Sequence, residues 1–81
     1  MKPDLVWSAT LGELQLQMTQ ATFDTWLRGS RVVEAGDDSL TIAVRHPYAV
    51  DWLQDRLFSI IQRTVARHAG SEVKITFVAG V

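Results

Sequence analysis

Asp51 and Asp55 stand four residues apart, the spacing that would place two carboxylates on one face of a helix for acid–base work or cation binding. They fall on the polar side of that helix with Ser59 and Gln62, where a solvated surface accounts for them as well. Asp37 and Asp38 follow Gly36 and read as turn residues. His46 and His68 lie far apart and the chain has no cysteine, so the good zinc ligands are too few and no metal is expected. Neither common type of glycine-rich phosphate loop occurs, and no Ser- or His-rich cluster suited to hydrolysis is present. The residues able to do chemistry therefore point away from catalysis and from any cofactor. The chain is expected to act by binding.

Two constellations could bind. Arg63 and Arg67 each fall within about 20° of Arg56 on a 100° helical wheel, with Trp52 at the same edge. A basic stripe beside an aromatic ring can hold single-stranded DNA or RNA by phosphate contacts and stacking, and about three such contacts give a log–log salt slope near −2. The alternative is a solvated helix edge with Trp52 turned into the core. The formal net charge of −1 supplies no general basic field, although the second half of the chain carries more basic than acidic side chains. The other constellation is aromatic: Trp7, Phe23, Trp26, Tyr48 and Trp52 are many large rings for a small core. Trp7 near the chain start and Tyr48 at the opening of a helix are the contact candidates, against partial burial at the core edge.

The elements that must position these residues follow from periodicity. Pro3 and Asp4 suit a helix start, and Trp7, Leu11, Leu14 and Met18 recur on one helical face. Leu5, Ala9 and Leu16 make a second apolar stripe on the far side, with Gly12 between them; it is either covered within the domain or meets another protein. Thr19 can cap a second helix carrying Phe23, Trp26 and Leu27, which ends near Gly29. Residues 31–35 and the alternating Leu40, Ile42 and Val44 flank a Gly36-Asp37-Asp38 turn, as in a β-hairpin. Pro47 opens a third helix with Val50, Leu53, Leu57, Ile60, Ile61 and Thr64 on one face, and Gly70 stops it. Val73, Ile75 and Phe77 alternate as a last strand. The expected fold is α+β: a single domain over 1–81, with helices about 4–18, 20–28 and 47–69 and strands about 31–35, 39–45 and 72–78. The order α-α-β-β-α-β makes a two-layer sandwich, a three-stranded sheet covered by helices on one side. That arrangement is KH-like, but Gly29-Ser30-Arg31-Val32 does not supply the Gly-X-X-Gly loop with which KH domains grip a nucleic-acid backbone.

At 81 residues there is room for one small core with a thin stability margin, and no disulfide to reinforce it. No stretch approaches the ~20 apolar residues of a membrane span and no signal peptide is visible, so a soluble, cytoplasmic protein without membrane contact is expected.

Leu5-Val6-Trp7, Leu11, Leu14 and Thr22-Phe23-Asp24-Thr25-Trp26-Leu27 resemble the start of bacterial replication initiators of the DnaA family. Leu40-Thr41-Ile42-Ala43-Val44 and Tyr48-Ala49-Val50-Asp51-Trp52-Leu53 continue the likeness over nearly the whole chain, to where that family's N-terminal domain stops. The resemblance implies a KH-like fold and a module that self-associates and recruits the replicative helicase and initiation regulators. It further implies that Trp7, with its neighbours Leu5 and Val6, serves self-association, and that Tyr48 contacts helicase or regulators. Thr22 falls where some members carry an acidic helicase-contacting residue, and His46-Pro47 replaces the more usual Pro-Asn pair.

Overall fold

A computed structural model describes residues 1–80. Pro3 opens helix α1 (Pro3–Gln17), where its missing N–H is no loss and its fixed φ fits the first turn. One face of α1 is buried through Val6, Trp7, Thr10 and Leu14. Thr19 caps α2 (Gln20–Trp26): its Oγ accepts the Thr22 N–H at 3.2 Å, a bond that contributes about 1 kcal/mol. The chain then turns through Leu27 to Gly29, whose φ of 81° favours glycine.

Strands β1 (Arg31–Ala35) and β2 (Ser39–Val44) form the expected antiparallel hairpin, closed where the Gly36 N–H donates to the Ser39 carbonyl at 3.0 Å. Pairing steps from Val32↔Ile42 to Glu34↔Thr41, so Val33 is an extra residue in a bulge and is pushed outward. Strand β3 (Lys74–Ala79) lies parallel to β2 on its other side, with Leu40 beside Ile75 and Ile42 beside Phe77. A parallel return needs a long crossover, and the third helical segment provides it.

That segment keeps its expected extent but not its regular turn. Helix α3 (Pro47–Trp52) passes into a π-helical stretch (Leu53–Leu57) before α4 (Phe58–Ala69) resumes and ends on Gly70, which donates to Ala66 at 2.9 Å. A π turn takes more residues per revolution, so residues beyond it lag behind a 100° wheel. Val65, placed off the apolar arc by that wheel, is consequently fully buried beside Ile61 and Thr64.

The core gathers Trp7, Leu14, Phe23, Leu27, Leu53, Ile61 and Val65 from the helices against Leu40, Ile42, Ile75 and Phe77 from the sheet. Its polar members are satisfied. The hydroxyls of Thr10 and Thr64 donate to the carbonyls of Val6 and Ile60 at 2.8 and 2.7 Å. Among the described residues no helix is long and apolar enough to cross a membrane.

Short α2 is fixed against the crossover by two contacts. Trp26 and Trp52 stack with ring centroids 4.4 Å apart and planes 8° from parallel. Arg45, just after β2, donates from Nη2 to the Asp24 carbonyl at 2.8 Å. The Asp24 carboxylate accepts from Arg28 Nε at 2.9 Å and from Gln20 Nε2 at 2.8 Å. These bonds, Arg28 foremost, hold its pKa below the ordinary 3.8.

Two outcomes follow. In a double-mutant cycle of Trp26→Ala and Trp52→Ala, urea unfolding should yield a coupling of about 1 kcal/mol; a value near zero would mean the rings contribute only their separate areas. Because the folded Asp24 value is depressed, its contribution is present above the ordinary carboxylate pKa and lost as pH falls through the lowered one. A carboxyl-carbon NMR titration should place the Asp24 midpoint below 3.8, and Arg28→Ala should raise it.

Candidate functional site

Thr22 lies one turn before Trp26 on α2, and Tyr48 lies one turn before Trp52 on α3. By the four-residue rule each shares a helix face with the tryptophan of its own helix, and the stacked indoles tie those two helices together. Tyr48 follows Pro47 in the first turn, and its ring is 79% exposed. The backbone beneath it is fixed: Ala49 is buried, and its N–H donates to the His46 carbonyl at 3.0 Å. His46 occupies the cap position of α3 without a side-chain capping bond. Thr22 is half-buried, and its hydroxyl oxygen accepts the Thr19 hydroxyl at 2.9 Å. The result is an exposed phenol on a rigid support, an arrangement suited to recognition.

The three residues singled out near the chain start separate in the structure. Trp7 and Val6 are only 3% and 7% exposed, whereas Leu5 is 63% exposed. The expectation of Trp7 as a surface contact is corrected. Its ring faces inward with Leu14, and its indole N–H donates to Ser30 Oγ at 3.1 Å, which removes the penalty of burying that polar group. Only the ring edge reaches a shallow groove shared with Asp4, Ser8, Leu11 and Val32. The outward residue of this segment is Leu5. It begins a line with exposed Ala9, Gly12 and Leu16. The alternative that this second stripe is covered within the domain is thereby overturned, because Leu5, Ala9 and Leu16 are all exposed.

The arginines do not form one stripe. Arg56 lies in the π-helical stretch, with its guanidinium carbon 5.8 Å from the centre of the Trp52 ring, a cation–π contact. Trp52 is half-buried, its other partner being Trp26. Arg63 and Arg67, beyond the π turn, line a different groove with Gln17, Ile60 and Thr64. Arg67 is ion-paired with Glu13 of α1, and His68 Nε2 lies 3.2 Å from the same carboxylate. The straight-wheel alignment fails for the reason that buries Val65: the π turn shifts the phase between Arg56 and the other two. Glu13, which the sequence did not mark, proves to be the hub joining α1 to the end of α4. An acid at the right height on a neighbouring helix would have been its only signal.

Comparison with known proteins gives this geometry a context. The family model described as the DnaA N-terminal domain matches residues 4–67, ending inside α4 and before β3. The chromosomal replication initiator protein DnaA of Synechococcus sp. (strain JA-2-3B'a(2-13)) is 34% identical over 74 residues, which cover 91% of this chain. The chain spans only 16% of the length of that relative. On the family match over most of its length and on this identity, the chain belongs to the DnaA N-terminal domain family.

Proposed function

We propose that the chain is a non-catalytic docking module of the cytoplasm that acts in the initiation of DNA replication, associating with itself and recruiting the replicative helicase or an initiation regulator. The observation that carries this reading is Tyr48, a large ring 79% exposed on a helix fixed from below by the core and from the side by the tryptophan stack. Tyrosine is among the residues enriched at the few interface positions that carry most of the binding energy. Family membership and the initiator relative supply the process. Thr22, one turn before Trp26, belongs to the same reading as a position that tunes the contact.

A second reading, single-stranded nucleic-acid binding through Arg56, Arg63, Arg67 and Trp52, is supported by the Arg56–Trp52 contact. The Glu13 carboxylate already engages Arg67, which weakens it. Binding there would be confined to low salt.

The test is a calorimetric titration of the chain with the replicative helicase of its source organism. Tyr48→Ala should weaken binding at least about tenfold while leaving the circular dichroism spectrum unchanged. Thr22→Glu should tighten it, since it supplies the acidic group that some relatives carry. Unchanged affinity in Tyr48→Ala would exclude the Tyr48 surface. A single-stranded oligonucleotide that quenches tryptophan fluorescence at low salt would instead favour the second reading.

A further inference from the structure

Tyr48, Trp52 and Arg56 follow one another at intervals of four, from the start of α3 into the π-helical stretch. The Arg56 guanidinium carbon, 5.8 Å from the centre of the Trp52 ring, shows that the row crosses this junction on one face. A ring attracts the charge of a guanidinium but takes up few of its N–H donors. Arg56 is exposed, and no carboxylate among the described residues is paired with it. Trp52 therefore holds a cation whose hydrogen-bonding fork is still unused.

Beside this row stand Asp51, three residues after Tyr48, and Asp55, four residues further on. Both are exposed, and neither has a basic partner among the described residues. Like charges one helical turn apart weaken a helix, and no cation of the described residues relieves this pair. Asp24 on α2 differs, since Arg28 neutralises it.

We propose that Arg56 is a specificity-determining residue of the Tyr48 surface, and that with Asp51 and Asp55 it selects a protein segment carrying an acidic and a basic residue side by side. The inference rests on the docking reading above and adds the chemistry of what docks. The partner's acid meets the Arg56 fork as a bidentate ion pair, and its base sits between Asp51 and Asp55. Apolar groups of the same segment cover Tyr48 and the exposed part of Trp52. A nucleic-acid strand fits this pattern poorly. Stacked on Tyr48 and Trp52, it would gain one cation at Arg56 and carry its other phosphates past two carboxylates. A protein segment can alternate its charges and satisfy both rows. The charges also reject segments of a single sign, which meet repulsion at one row or the other.

Calorimetric titration against the replicative helicase of the source organism, with a thymidine oligonucleotide as second probe, tests the assignment. Arg56→Glu should weaken helicase binding at least about tenfold, and Arg56→Lys, which keeps the charge but not the fork, should fall between it and wild type. The double variant Asp51→Lys, Asp55→Lys should also weaken helicase binding, yet bind the oligonucleotide at least about tenfold more tightly than wild type does. All three side chains are exposed, so the circular dichroism spectra should not change. If Tyr48→Ala weakens helicase binding while Arg56→Glu and Arg56→Gln leave it unchanged, the charge selection is overturned and the docking reading stands. An oligonucleotide that binds wild type more tightly than the helicase does, and is lost in Arg56→Glu, makes phosphate the ligand and overturns the assignment. If wild type binds no helicase, or Tyr48→Ala changes nothing, the assignment and the docking reading fall together.

Discussion

A chain of 81 residues without a cysteine has only its apolar side chains with which to hold one core together. That constraint decides where the large residues go. Trp7, Phe23 and Phe77 are taken inside, and the polar part of the Trp7 ring is accommodated by Ser30 rather than left at the surface. Among the described residues no buried side-chain nitrogen or oxygen lacks a partner. With the core so demanding, the large apolar groups that remain outside stand out. Besides Met1 at the chain start and Val33 in the bulge of β1, Leu5 and Leu16 lie on one helix and Tyr48 lies on another. Two separate surfaces result, an apolar line on α1 and an aromatic knob on α3.

Much of the fold was legible because local signals agreed with one another. Pro3, Thr19, Pro47 and Gly70 mark helix ends by their own chemistry, and the alternation of Leu40, Ile42 and Val44 fixes the inward face of the central strand. The candidate sites were less legible. Whether Trp7 points in or out depends on what lies 23 residues away at Ser30, a tertiary fact that helical spacing does not carry. For Tyr48 the sequence left contact and partial burial both open; a ring in the first turn of a helix that begins at a sheet end has little to pack against, and it is exposed. The partnership of Trp26 with Trp52 was not legible. Each could be assigned to a helix face, but only the juxtaposition of the two helices turns them into a stack.

The π-helical stretch is the departure with the widest effect. A straight wheel groups Arg56 with Arg63 and Arg67 and leaves Val65 off the apolar arc, and both results are wrong for one reason. A trace of it lay in the sequence. Phe58 and Val65 fall off the apolar arc to the same side, as they must if every residue after Leu57 lags in phase, and both pack on the core. The wide turn lets α3 present Tyr48 outward and Trp52 to α2 while α4 keeps Ile61, Thr64 and Val65 beneath the sheet. One helix thereby carries an exposed ring at its start and core residues at its end.

The parallel pairing of the last strand with the central one has a consequence for how the molecule is made. A ribosome releases the hairpin and the first helix early, yet Leu40 and Ile42 lie bare until Ile75 and Phe77 arrive beside them. The domain therefore closes once, late in its own synthesis, when its final strand threads alongside a neighbour laid down long before. Until then the nascent chain carries an open sheet edge.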